Sequence, residues 1–300
     1  MRQIFEVIII GGSYAGLAAA MALGRALKTV LIIDSHLPCN RQTPYSHNFL
    51  TQDGVPPKVI AELGRRQVEN YDTIKFFDGV ATSAIKTDSG FIIQVASGES
   101  FESRKIIFAT GIRDILPDIH GFSECWGISV LHCPYCHGYE IRNQKTGIMG
   151  NGQIAFEVAM MISNWTQDLT VYTNGKSTLT DEQLVRLQNH QINIVDKEVV
   201  QLEHSKGYVQ KIIFDDASSV SPMAIYAPCP FEQHCRIIET LGCELNDEGY
   251  IKIDAFHETT IYGIFACGDN VTRMRTVANA VAMGTTTGMS LSKKMILEAF

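Results

Sequence analysis

Basic residues nowhere extend beyond a pair in this chain (as at Arg65-Arg66 and Lys293-Lys294), and its net charge is −7. That balance leaves no electrostatic footprint for nucleic acid or for an anionic membrane surface. No apolar run of about 18 residues is free of interruption, so no membrane span is expected. Val7 to Leu27 comes nearest and imitates an export leader behind Arg2. But Gly11, Gly12, Gly16 and Gly24 break it and Glu6 precedes it, which reads as strand, turn and helix. A disulfide scaffold is lacking too. The eight cysteines (39, 125, 133, 136, 229, 235, 243 and 267) are scattered, as expected for one reactive pair plus buried thiols in the cytoplasm.

What is present is an ordinary globular composition, 45% apolar and 19% charged, over 300 residues, enough for two domains. Phe5 to Ile10 reads as a buried parallel strand, residues 15–27 as a helix and Val30 to Ile33 as a second strand, a βαβ unit. Residues 35–56 have loop composition. Lys58 to Tyr71 reads as helix, Ile74 to Phe77 as strand, and residues 80–86 and 91–96 as a hairpin. Lys105 to Ala109 is another buried strand. The pattern then restarts: strand 145–149, helix 154–164, strand 169–172, and a helix 180–189 with a capping box from Thr180 to Gln183. Residues 199–204 and 209–214 pair across Lys206-Gly207. Glu232 to Leu241 reads as helix, Tyr250 to Ile253 and Ile261 to Ala266 as strands, and Thr276 to about Leu297 as a closing helix.

The restart is an internal repeat. Ile9 to Gly16 aligns with Ile148 to Ala155 at a constant offset of 139. The first copy holds Gly11-x-Ser13-x-x-Gly16, a turn that lets a helix N-terminus face a pyrophosphate. Asp34 ends the next strand 18 residues after Gly16, near the ~20-residue spacing of a ribose-binding carboxylate. Gly268-Asp269, closing the phrase from Gly263, offers a second acceptor for a sugar or ribityl hydroxyl. The other copy holds Gly150-x-Gly152-x-x-Ala155. Its second strand leads into Thr173-Asn174-Gly175-Lys176, which has neither the acid of an NAD site nor the arginine of an NADP site.

Between the two copies lies His132-Cys133-Pro134-Tyr135-Cys136-His137-Gly138-Tyr139-Glu140. Two thiols at this spacing can close and reopen a ring, and imidazolium neighbours or a helix N-terminus would lower a thiol pKa. Cys133-x-x-Cys136-His137 also matches a c-type haem attachment site. Half a zinc site, completed by Cys229, His234 or Cys235, is a third reading, though the usual spacing is missing. Inert core thiols are a fourth.

In this order the pieces resemble low-molecular-weight thioredoxin reductases over essentially the whole chain. The cysteine motif is similar to that of the dithiol-oxidase branch, of gliotoxin oxidase type. The resemblance implies an α/β fold of two Rossmann-like three-layer domains. A discontinuous FAD domain (1–116 and 244–300) carries an inserted NAD(P)H-type domain (117–243) with the redox pair. It implies a homodimer. It implies FAD contacts from Gly11, Ser13, Ala15, Gly16, Asp34, Asn40, Arg41, Ala109, Thr110, Gly111, Gly268, Asp269, Thr276, Val277 and Ala278. Cys136 would exchange electrons with the flavin and Cys133 with the substrate. His137 stands where the reductases carry an aspartate, and an imidazole there can act as base or acid. The reductases' His-Arg-Arg run is absent near Thr173 to Ser177, and their Arg-Gln pair reads Arg275-Thr276.

These departures favour a FAD-dependent thiol–disulfide oxidoreductase with poor NADPH use, served at the flavin by oxygen or another redox protein. Its partner would be a small dithiol or disulfide, or a thioredoxin-like protein. An NADPH-dependent thioredoxin reductase and a flavin-binding redox sensor are the alternatives.

Overall fold

A computed structural model describes residues 4–300, so Arg2 lies outside the described residues. The chain runs through β1 (Ile4–Ile10), α1 (Tyr14–Arg25), β2 (Val30–Asp34), α2 (Pro57–Glu69), β3 (Ile74–Asp78), β4 (Ala81–Thr87), β5 (Gly90–Val95) and β6 (Ser100–Phe108). It continues through β7 (Ile112–Asp114), α3 (Phe122–Cys125), β8 (Val130–Leu131), α4 (Pro134–His137), β9 (Thr146–Met149), α5 (Gly152–Ile162), β10 (Leu169–Tyr172), α6 (Asp181–Asn189) and β11 (Asn193–Val195). Then come β12 (Val199–Ser205), β13 (Tyr208–Phe214), β14 (Ser219–Val220), β15 (Ala224–Tyr226), β16 (Phe231–Gln233), α7 (Ile237–Thr240), β17 (Ile264–Ala266) and α8 (Val277–Ala299).

These elements divide into two compact units. The first comprises the residues up to Arg41, Asn48–Arg113 and Phe231–Phe300; the second comprises Gln42–His47 and Asp114–Pro230. The first unit is built on the sheet β3-β2-β1-β6-β5-β4, with β17 also on β6. Strands β3, β2, β1, β6 and β17 are parallel, with Ile10 opposite Ile33 and Phe108, and Ala266 opposite Phe108. Their C-terminal ends therefore open at one edge, where an open α/β sheet binds its ligand. Alternation sends Val7, Ile9, Val30 and Ile32 to the face covered by α1 and α8. Ile8, Ile10, Leu31 and Ile33 go to the other face, under Phe91, Ile93 and Ile237.

The second unit repeats the theme as β11-β10-β9-β15-β8, all parallel. The antiparallel sheet β12-β13-β14 accompanies it. The expected capping box is present: Thr180 accepts from the Gln183 backbone and Gln183 reaches back.

Three expectations are corrected. Glu232 to Leu241 is no continuous helix; Phe231–Gln233 is a strand and only Ile237–Thr240 is helical. The buried Gln233 amide holds that segment extended by donating to the carbonyls of Gly249 and Asn270. Tyr250 to Ile253 forms isolated bridges rather than a strand. The strand expected from Ile261 begins only at Ile264, because Gly263 turns the chain at φ +85°. Residues 231–243 also pack in the first unit, where Ile237, Ile238 and Cys243 join its core.

Helix α1 is held by α8 at close range. A Cβ on Gly284 would lie 2.1 Å from the Ala15 carbonyl oxygen, and one on Gly288 2.5 Å from that of Ala19. Gly284→Val should therefore cost about 1–3 kcal/mol through overpacking. A thermal melt of the variant checks this, with a lowered Tm as the expected result.

Candidate active site

The first glycine turn follows β1. Gly11 adopts φ +103°, and a Cβ there would fall 2.3 Å from the Ala109 carbonyl oxygen. A Cβ on Gly16 would fall 1.9 Å from the Gly11 carbonyl oxygen. Only glycine allows the helix to start this close to the strand. Ser13 is the N-cap of α1, but its side chain makes no capping hydrogen bond, so the hydroxyl does not cover the helix N-terminus.

Asp34 ends β2 beside this turn. Its Oδ1 accepts from the Gly12 N–H at 3.1 Å, and its Oδ2 lies 3.4 Å from His36 Nδ1. The carboxylate thus fixes the turn. Asn40 donates to the Tyr14 hydroxyl at 3.3 Å, and that hydroxyl donates to the Pro57 carbonyl at 3.0 Å. The Asn40 Oδ1 is buried with no donor among the described residues. Arg41 is exposed and donates to the Pro38 carbonyl.

The other strand ends arrive at the same edge. Ala109-Thr110-Gly111 follows β6, with Gly111 at φ +63° and open space around it. Gly268, after β17, has φ +89°, and a Cβ there would meet the Ala15 Cβ at 3.0 Å. Asp269 Oδ2 lies 3.9 Å from Cys39 Sγ and 3.8 Å from Arg275 Nε. Thr276 caps α8 by accepting from the Asn279 N–H, so Val277 and Ala278 form its first turn. Sequence reasoning overlooked Asn270. It is fully buried and donates to the Phe108 carbonyl at 2.9 Å, fixing the end of β6 just before Ala109. A single amide after Gly-Asp carries no sequence signal of that role.

The second turn is built differently. Asn151 is the N-cap of α5, and its Oδ1 accepts from the Gly152 N–H at 2.9 Å. The same oxygen accepts from the Thr178 N–H at 2.8 Å and the Thr178 hydroxyl at 3.0 Å. Its Nδ2 donates to the carbonyls of Thr173 and Lys176. Lys176 is exposed, and Lys197 is directed to Asp216 and Ser218. Glu198 lies against Gly175, its Cγ 3.7 Å from where a Cβ would stand.

The cysteine motif lies in the second unit. Cys133 and Cys136 are disulfide-bonded, with Cα atoms 5.3 Å apart. Bonded to each other, these sulfurs hold neither a haem thioether nor a zinc ion. Pro134 opens α4, a position where its missing N–H is harmless. That turn brings the Cys136 N–H to the Cys133 Sγ at 3.2 Å, a donor that favours a thiolate at Cys133. Tyr135 is exposed and rests edge-on against Trp165, while the His132 ring stacks on Trp126.

Burial, with the nearby charge of His47 adding to it, holds the His137 imidazole down at about 4. It is therefore neutral at pH 7: a proton acceptor rather than the imidazolium expected to depress a thiol pKa. His47 comes from the segment 42–47, which packs in the same unit. Gln42 anchors that segment by donating to the carbonyls of Ser123 and Trp126. His47 Nδ1 lies 3.6 Å from Glu140 Oε1. Sequence spacing could not bring these residues together. Elsewhere, burial pushes the Cys125 thiol up to about 11 and Cys267 up to about 12, so both are inert packing groups.

The model of one family, pyridine nucleotide-disulphide oxidoreductase, matches residues 5–284. The chain belongs to that family. It is 32% identical to a thioredoxin reductase, tcpT, of Claviceps purpurea (strain 20.1), over 99% of this chain and 96% of the relative. It is 28% identical to the thioredoxin reductase sirT of Leptosphaeria maculans, over 97% and 94%. The crystal structure of an oxidoreductase from Agrobacterium tumefaciens matches with a TM-score of 0.91 at 35% identity, covering 98% of this chain and 99% of that one.

This disulphide oxidoreductase is thioredoxin reductase-like, and its family implies FAD. The first unit fits that group. It offers an uncapped helix start behind glycines, acceptors at Asp34 and Asp269, and the orphan acceptor of Asn40. The second turn does not fit a pyridine nucleotide in the same way. Its first helical N–H is already taken, and a carboxylate rather than an arginine stands by Gly175.

Because folding lowers the His137 pKa from 6.5, the unfolded chain binds more protons in the window between 6.5 and about 4. The group's contribution to stability is thus present above that window and lost as the pH falls through it. Dithiol-driven flavin reduction, followed by stopped flow against pH, should show an acid limb centred near 4 and none at 6.5. In His137→Gln that limb should vanish and the rate fall about 10²–10⁴-fold.

Proposed function

We propose that the protein is a FAD-dependent thiol–disulfide oxidoreductase that passes electrons between FAD and the Cys133–Cys136 disulfide, and onward to a dithiol or disulfide substrate, with poor NADPH use. The observation that carries this reading is the bonded cysteine pair followed directly by a neutral imidazole. Oxygen or another redox protein serves the flavin side.

In the oxidase direction, a substrate thiol gives its proton to the His137 imidazole. The thiolate attacks Cys133 Sγ, the Cys133–Cys136 bond breaks, and Cys136 leaves as a thiolate. The second substrate thiol loses its proton to solvent, and its thiolate attacks the substrate sulfur joined to Cys133. The product disulfide departs and Cys133 is released as a thiolate, favoured by the Cys136 N–H. The pair now holds the two electrons the substrate has lost. FAD, when bound, would supply the two-electron acceptor for the Cys136 thiolate, with dioxygen or a redox protein as the final acceptor. Run in reverse, the same residues reduce a disulfide.

Under this reading the first unit is the FAD domain, with the residues of the turns after β1, β6 and β17 and the start of α8 as its contacts. The second is a nucleotide-type domain retained for the disulfide. A homodimer and a cytoplasmic setting complete the proposal, supported by the family and by the buried thiols Cys125, Cys243 and Cys267. No helix among the described residues is long and apolar enough to cross a membrane. Relatives named thioredoxin reductases support a small disulfide or a thioredoxin-like protein as the partner.

Anaerobic rapid mixing tests the proposal. A small dithiol should bleach the flavin, Cys136→Ser should abolish that bleaching, and micromolar NADPH should leave the flavin oxidised. Fast bleaching by micromolar NADPH would contradict the reading.

A further inference from the structure

We propose that Asn151 is the specificity-determining residue that closes the second glycine turn to pyridine dinucleotides, with Thr178 as the plug it holds in place. The inference rests on the reading of the chain as a poor NADPH user and supplies its physical cause.

A dinucleotide turn works because the first N–H groups of the helix are available and the second glycine lets a pyrophosphate approach the backbone. Both requirements are compromised here by the same side chain. The Gly152 N–H is satisfied by Asn151 Oδ1 at 2.9 Å. The approach over Gly152 is filled, since a Cβ at that glycine would meet the Thr178 hydroxyl oxygen at 2.8 Å. That hydroxyl is held by the same Oδ1 at 3.0 Å, and the Thr178 N–H donates to it at 2.8 Å.

The other end of the amide completes the closure. Asn151 Nδ2 donates to the Lys176 carbonyl at 2.9 Å and to the Thr173 carbonyl at 3.3 Å. One side chain thus ties both ends of the loop between β10 and α6 across the turn. The loop would ordinarily flank the adenosine ribose, and here it folds back over the pyrophosphate position. The first turn shows the contrast. The residue matching Asn151 is Gly12, which has no side chain and whose N–H goes to Asp34. The residue matching Gly152 is Ser13, which makes no capping bond. The repeat therefore contains one turn open to a dinucleotide and one stitched shut.

The closure is reversible by substitution. Glycine is a tolerated N-cap residue, so Asn151→Gly frees the Gly152 N–H and releases the loop without removing a helix-start signal. Thr178→Ala removes the plug alone and leaves the Thr180 cap of α6 in place. Both act outside the disulfide and outside the first turn.

The test uses the FAD-loaded protein in four forms: unmodified, Asn151→Gly, Thr178→Ala and the double variant. NADH and NADPH are the probes, with affinity read by calorimetry and flavin bleaching followed without oxygen. The double variant should bind NADH at least about tenfold more tightly, the equivalent of about 1.4 kcal/mol. NADPH should gain less, because Glu198 and the missing arginine oppose its 2′-phosphate. Dithiol-driven bleaching should stay unchanged in every form. If Asn151→Gly does not fold, Asn151→Ser carries the test with Thr178→Ala. Serine still reaches the Gly152 N–H but cannot span to Thr173 and Lys176, so a smaller gain is expected. Unchanged affinity for both nucleotides in folded variants of an NADPH-inert protein overturns this inference alone. Fast bleaching of the unmodified protein by micromolar NADPH overturns the underlying reading, and this inference with it.

Discussion

The start of α1 is pressed so closely on the turn before it that a single methyl group would not fit. A Cβ at position 16 would overlap the Gly11 carbonyl, and one at position 11 the Ala109 carbonyl. The far side of the same helix is held by Gly284 and Gly288 of α8, again at backbone contact. Because α1 is clamped from both sides, the turns after β1, β6 and β17 meet at one edge of a parallel sheet. The cradle proposed for the family's FAD depends on that convergence.

The second unit keeps the architecture and changes the chemistry. Its strand order follows the pattern of the first, yet its glycine turn is filled by the chain's own Asn151 and Thr178. A fold unit does not fix its ligand; the groups grafted on it do. What this unit still offers is the disulfide between Cys133 and Cys136, a donor N–H on the Cys133 sulfur and an imidazole kept neutral by burial. In the proposed function these groups receive electrons from a thiol and take its proton.

Much of this was legible in the sequence, for local reasons. The β1-α1-β2 unit shows as an apolar run, a glycine turn and an acid, and the structure places Asp34 on the turn itself. The Thr180–Gln183 capping box depends on spacing alone and is present. The segment 232–241 failed because the tertiary bonds of Gln233 outweigh local helix preference. At the site, the cysteines and His137 were visible as a motif. The place of His47 beside Glu140 was not, since only folding brings residues 42–47 into the second unit. The neutrality of His137 was also hidden, because it arises from burial and not from spacing. Asn151 was within reach, as asparagine is a strong N-cap residue, but its hold on Thr178 belongs to the fold.

The central claim is that the Cys133–Cys136 pair, in series with the flavin, is the electron port of this protein. An anaerobic titration of the FAD-loaded chain with a small dithiol counts that series directly. The account predicts about two dithiol equivalents per chain for full bleaching, one absorbed by the disulfide and one by the flavin. In Cys133→Ser the flavin should stay oxidised. Full bleaching with about one equivalent, unchanged in Cys133→Ser, would show that electrons bypass the cysteines and would contradict the account.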